Sequence, residues 1–247
     1  MSRIDDLISR YVAMWNEPDP GRRRQTISAL WVPDGATCHR GHHSRGHAAI
    51  EARVAGAHER WVRDRGYVFR SRADAVGHHD VVRFGWEMVP GGGGESASAG
   101  LNVLILDRDG RIRFDYQFSE PSVAATGELK ALAESYVAFW NESDAVRRHE
   151  RLAELWALDS AYVSESSELR GRAAIEAEAT AAYEAFVAKG FVFRTSDVDG
   201  HHNVVRLGWE MRPRAGGAVA AAGFDLLVLG DDARIRADYV FDELRPS

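Results

Sequence analysis

The chain has 247 residues, 45% hydrophobic and 28% charged, with a formal net charge of −6. That composition is globular, and its acidity excludes broad nucleic-acid binding, which needs a cationic surface. Cys38 is the only cysteine, so no internal disulfide can form. No apolar run reaches the roughly 20 residues of a membrane helix. The segment MSRIDDLISRYV carries charges inside its apolar pattern, unlike a secretory signal. These features predict a cytoplasmic protein with neither a membrane nor a nucleic-acid partner.

From the N-terminus, Ile4, Leu7, Ile8, Tyr11, Met14 and Trp15 fall on one face of a helix. A second helix is expected from about Pro20 to the Leu30-Trp31 pair, then a short strand over Ala36–Arg40, a turn, and a third helix opening at Gly46. The period then changes to two. Strands are expected over Tyr67–Asp74, His79–Val89, Ala99–Asp107 and Arg111–Phe118. Gly91–Gly94 reads as a hairpin connection, since no Gly-Lys-Ser/Thr follows to make a phosphate loop. In the strand from His79, Val82, Phe84, Trp86 and Met88 share one face. In the last strand Ile112, Phe114, Tyr116 and Phe118 do so, which assigns Arg111, Arg113 and Asp115 to a charged outer face with no catalytic role.

The same elements then occur again. YVAMWNE from Tyr11 returns as YVAFWNE from Tyr136, and Leu30-Trp31 returns as Leu155-Trp156. Gly46 with AAIE returns as Gly171 with AAIE; GHHDVVRFGWEM from Gly77 as GHHNVVRLGWEM from Gly200; RIRFDYQF from Arg111 as RIRADYVF from Arg234. Collinear matches along the whole length define a tandem duplication, with domains at 1–120 and 126–244. Each domain is expected to be an α+β cone of three helices packed on a curved antiparallel sheet.

Helix–helix–strand–helix–four strands, with YVAxWNE, GxAAIE and HHxVVRxxWE, resembles the SnoaL-like polyketide cyclases. These belong to the cone-shaped superfamily of ketosteroid isomerase and nuclear transport factor. The resemblance implies that the two domains pair within the chain as a pseudo-dimer, with further homo-oligomerisation open. It also implies a hydrophobic, carbonyl-bearing small-molecule substrate and acid–base chemistry without a cofactor: cyclisation, isomerisation or dehydration. A non-catalytic ligand-binding or scaffolding protein is the alternative.

Carried over residue by residue, the tyrosine of the first helix corresponds to Tyr11 and Tyr136. The base at the end of the first strand corresponds to Arg40 and Glu165, and the second acid to Asn102 and Asp225. The second domain thus keeps an ionisable set, with Glu165 as base and Tyr136 and Asp225 stabilising the oxyanion, in the pattern that the isomerase uses. In the first domain, Tyr11, Arg40 and Asn102 would bind rather than turn over. Trp86 and Trp209 are expected beside them, together with His78 and His201, which open the long strand and could also be strand-end residues bonded to a loop. CHRGHHSRGH from Cys38 to His47 gathers potential zinc ligands, but its spacing fits no zinc pattern and no metal is expected.

Overall fold

The computed structural model describes residues 3–122 and 125–244. The chain divides into two compact units, residues 1–123 and 124–247. The first comprises α1 (Arg3–Asn16), α2 (Pro20–Leu30), β1 (Trp31–His39), β2 (His42–Arg45) and α3 (His47–Ala57). After a π-helical turn at His58–Arg63 come β3 (Tyr67–Ser71), β4 (Val76–His78), β5 (Val81–Pro90), β6 (Ser98–Leu106) and β7 (Ile112–Glu120). Its sheet runs β2-β1-β7-β6-β5-β3, with β4 also on β5. Every pair is antiparallel except β1 with β7.

The second unit repeats this order: α4 (Gly127–Asn141), α5 (Ala145–Leu155), β8 (Trp156–Val163), β9 (Glu168–Arg170) and α6 (Arg172–Ala185). A 3₁₀ turn at Val187–Lys189 leads to β10 (Phe191–His201), β11 (Val204–Pro213), β12 (Ala221–Leu229) and β13 (Ile235–Leu244). The sheet order is β10-β11-β12-β13-β8-β9. Both units are therefore α+β, three helices on one curved sheet.

Local chemistry sets these elements. Asp19 accepts from the Arg22 backbone N–H at 2.7 Å and Asp144 from Val146 and Arg147, capping α2 and α5. Gly46 and Gly171 precede α3 and α6 at φ 79°, a conformation that favours glycine. The Asn of each WNE motif joins helix to sheet. Asn16 donates to the Phe69 carbonyl at 2.8 Å and accepts from its N–H at 2.9 Å, and Asn141 does the same with Phe193. In each unit the helices bury one apolar stripe against the sheet. Tyr11, Met14, Ile27 and Ile50 meet Phe84, Leu104 and Ile112; Tyr136, Phe139, Leu152 and Ile175 meet Leu207, Leu227 and Ile235. Each such large apolar side chain contributes about 1.5–3 kcal/mol when fully buried.

The elements differ from expectation at four places. The first strand starts at Trp31 rather than Ala36, because it continues directly from α2. The expected turn after it holds a further short strand, β2, paired with β1 from Ala36↔Arg45 to His39↔His42. The expected strand Tyr67–Asp74 ends at Ser71 in the first unit, whereas β10 runs on unbroken to His201.

The fourth difference concerns faces. Asp115 and Asp238 are not on a charged outer face: both are wholly buried, with 0% exposure, on the helix side of their sheets. A β-bulge is the cause. Leu106 pairs with Ile112 but Ile105 pairs with Phe114, so Arg113 is an extra residue in β7. Arg236 is the extra residue in β13, between Leu229↔Ile235 and Val228↔Ala237. One inserted residue inverts the alternation beyond it. Ile112, Asp115 and Gln117 therefore share the helix side, and Tyr116 and Phe118 face the other way.

Candidate active site

In the first unit the helix-side centre is a closed polar network. Tyr11 donates to Asp115 Oδ2 at 2.7 Å, and its oxygen accepts from Asn102 at 2.8 Å and Gln117 at 3.0 Å. Asp115 further accepts from Thr37, Asn102 and Gln117, at 3.1, 2.9 and 2.8 Å. The Arg53 guanidinium donates to Gln117 Oε1 at 2.6 Å. Burial raises the Asp115 pKa, with these donors and Arg53 pulling against it. The Tyr11 hydroxyl has one bond donated and two accepted, its full capacity.

The second unit puts different residues at the corresponding places: Asp225 for Asn102, Val240 for Gln117, Tyr162 for Thr37 and Glu178 for Arg53. The Tyr136 hydroxyl lies 2.7 Å from Asp225 Oδ2 and 2.5 Å from Asp238 Oδ2. A phenol has one proton to donate, so both contacts can be hydrogen bonds only if one carboxyl is protonated and donates to the phenol oxygen. Asp238 is the more enclosed of the two, and burial followed by the Asp225 charge raises its pKa well above the usual carboxylate value. Asp238 therefore holds the proton. It donates to Tyr136, which donates to Asp225, and Trp209 Nε1 donates to Asp225 Oδ1 at 3.1 Å. Burial pushes the Asp225 pKa up to about 7 although both of these donors oppose it. Desolvation, then the neighbouring acids Asp225 and Asp238, push the Tyr136 hydroxyl well above its ordinary pKa.

Asp225 and Tyr136 face a cavity of about 250 Å³, walled by Trp140, Tyr162, Phe193 and Trp209 and bordered by Glu178 and Asp242. Among the described residues, the Tyr162 hydroxyl makes no hydrogen bond. The Trp209 ring is seated by Gly223, where an added Cβ would meet both the ring and the Phe241 carbonyl. Gly223→Ala is expected to cost about 2–3 kcal/mol by overpacking. It should also displace the indole from Asp225, read as a changed near-ultraviolet circular dichroism spectrum along with a lower melting temperature.

Of the residues singled out from the sequence, Tyr136, Asp225 and Trp209 come together, as do Tyr11 and Asn102. Trp86 packs on Gly100 within the first core. Glu165 is exposed on the bend after β8 and Arg40 on the turn after β1; neither joins the buried groups. His78 and His201 end β4 and β10 at hairpin turns, and His201 does not line the cavity. Among the described residues no group of three potential metal ligands forms. Cys38 is buried, which pushes its thiol pKa up to about 11. The sequence reading missed Asp238, Tyr162 and Glu178. Recurrence of Asp within RIRFDY and RIRADY was the available signal for the first of these.

Residues 133–237 match the sequence profile of the SnoaL-like domain. That match lies within the second unit, whose element order and sequence landmarks the first repeats. Among solved structures, a SnoaL-like family protein from Agrobacterium tumefaciens, described as a candidate isomerase, is 29% identical, with 48% of this chain and 99% of that one covered and a TM-score of 0.45. A candidate polyketide cyclase from Sinorhizobium meliloti is 16% identical over 47% of this chain and 99% of its own, at a TM-score of 0.37. A candidate SnoaL-like polyketide cyclase from Jannaschia is 12% identical over 49% and 92%, at 0.38. No curated protein matches the chain. Among the described residues, no helix is long and apolar enough to cross a membrane.

Proposed function

We propose that the second unit is an acid–base enzyme that moves a proton at the carbon next to a carbonyl in a hydrophobic small molecule. The observation that carries this reading is Asp225: a carboxylate with a pKa of about 7, fixed by two donors, at the wall of an aromatic cavity. A base with that pKa is matched to proton transfer near neutral pH. Asp225 takes the proton from carbon, and the C–H electron pair moves through the new C=C bond onto the carbonyl oxygen. Returning the proton to another carbon gives isomerisation. Attack of the enolate on a second carbonyl gives cyclisation, the new alkoxide taking back the proton held by Asp225; expulsion of a β-hydroxyl, which leaves as water with that proton, gives dehydration.

Tyr136 is a positioning residue in this scheme, because its one proton is already directed at a carboxylate. Tyr162 supplies the hydrogen bond to the enolate oxygen. The chemistry requires no cofactor, and the substrate's apolar part occupies the aromatic walls. Proton exchange from 2-tetralone into D₂O, followed by proton NMR, tests the assignment. Wild-type protein should accelerate exchange, and Tyr162→Phe should lower the rate about 10²-fold, as loss of an oxyanion donor does. Exchange no faster than in buffer would refute the reading.

The first unit supports the alternative class. Its equivalent groups bond one another, with Asn102 and Gln117 where proton-transfer chemistry would need a base, and we assign it a non-catalytic role.

A further inference from the structure

The cavity of the second unit has a charge imbalance. Its described lining includes the carboxyls of Asp225, Glu178 and Asp242 but no Lys, Arg or His. Asp225 and Asp238 share one proton, so that pair keeps a negative charge beside the two further acids. The first unit balances the equivalent place differently: Arg53 stands where Glu178 stands, and its positive charge faces Asp115. Replacing a cation by an anion at this one position reverses what the enclosure attracts. Glu178 is half-buried, lines the cavity, and among the described residues has no ion pair or hydrogen bond. A carboxylate held partly out of water with no partner is stabilised by any cation that enters.

The rest of the wall suits the same ligand. Trp140, Tyr162 and Trp209 present aromatic rings, whose faces attract cations as well as apolar surface. Asp225 lies deep, 3% exposed, whereas Glu178 is half-buried and Asp242 exposed. The acids of the lining therefore run from a buried floor to an exposed rim.

We propose that this cavity selects ligands carrying a protonated amine, with the hydrocarbon body between the aromatic rings and the ammonium directed at Glu178 and Asp242. The inference rests on the proposed function only in using the same cavity. Together they define the substrate class as amino ketones, the carbonyl toward Asp225 and the amine toward the rim.

Binding and turnover separate the two ideas. Three probes of one size, 2-naphthylmethylamine, 2-naphthylmethanol and 2-naphthylacetate, are titrated into the full chain by calorimetry at pH 8. The amine should bind roughly tenfold more tightly than the alcohol, equivalent to about 1.4 kcal/mol, with the acetate weakest. Glu178→Gln should remove most of that preference, and Glu178→Arg, which restores the first unit's residue, should favour the acetate. Equal binding of amine and alcohol, preference for the acetate by the wild type, or no binding at millimolar concentration would each overturn the proposal. So would an amine preference that survives in both Glu178 variants. Exchange of neutral ketones without any amine preference would sink this inference and leave the proton-transfer reading standing; amine preference without exchange would do the reverse.

Discussion

Asp225→Asn is expected to abolish α-proton exchange while making the protein more stable above neutral pH. The reasoning is linkage. The Asp225 pKa is raised in the folded chain from 3.8 to about 7. Between those values the folded state binds more protons than the unfolded state, so stability falls as pH rises through that window. Above it, the buried charge costs the fold on the order of 2–4 kcal/mol. Asparagine removes that charge at nearly constant volume, and its amide can donate to Tyr136 as Asn102 donates to Tyr11. Melting curves at pH 5 and pH 9 are the measurement. The wild type should lose stability between the two and the variant should lose less. A variant less stable than wild type at pH 9 would show that Asp225 is not a buried, raised carboxylate.

The mirror experiment in the first unit has the opposite sign. Asp115→Ala should destabilise by about 3–5 kcal/mol, because it removes the acceptor on which Tyr11, Thr37, Asn102 and Gln117 converge and strands them in a closed interior. Chemical denaturation with separate probes for each unit should show the loss confined to the first transition, while amine and ketone binding by the second unit persist. An Asp115→Ala protein within about 1 kcal/mol of wild type would mean that the network contributes little beyond the packing around it.

The pair of experiments tests a single contrast. Both units surround a buried tyrosine hydroxyl with acidic groups, but the first adds two amides that supply protons and the second adds a second carboxyl. Amides satisfy the site permanently. A carboxyl satisfies it only while it holds a proton, and that dependence makes the site sensitive to pH near 7.

Much of this was legible in the residues. The two similar halves, the helices and most strand cores follow from the recurring YVAxWNE, GxAAIE and HHxVVR segments and from periods of 3.6 and 2. Asp225 stood out because it interrupts an apolar strand, and Tyr136 and Trp209 because they sit in the recurring YVAxWNE and HHxVVRxxWE segments. The errors have a physical origin. Alternation through RIRADYVF assumes an unbroken pleat, and the bulge at Arg236 breaks it, which moved Asp238 from an assumed outer face to the centre. Glu165 was placed by correspondence with a strand end, but β8 stops at Val163 and Glu165 is exposed on the bend that follows, between Ser164 and Ser166, which line the cavity. Tyr162 and Glu178 were invisible because their significance lies in what they replace, Thr37 and Arg53, and that comparison needs the two interiors side by side.

The bulge is also a device that both units share. Arg113 and Arg236 are extra residues at equivalent places in the two sheets, and each turns a strand aspartate inward to face a tyrosine. The units differ in what surrounds that aspartate: amides and an arginine in one, acids and aromatic rings in the other. One backbone irregularity thus supplies a fixed structural acceptor in the first unit and half of a proton-sharing pair in the second.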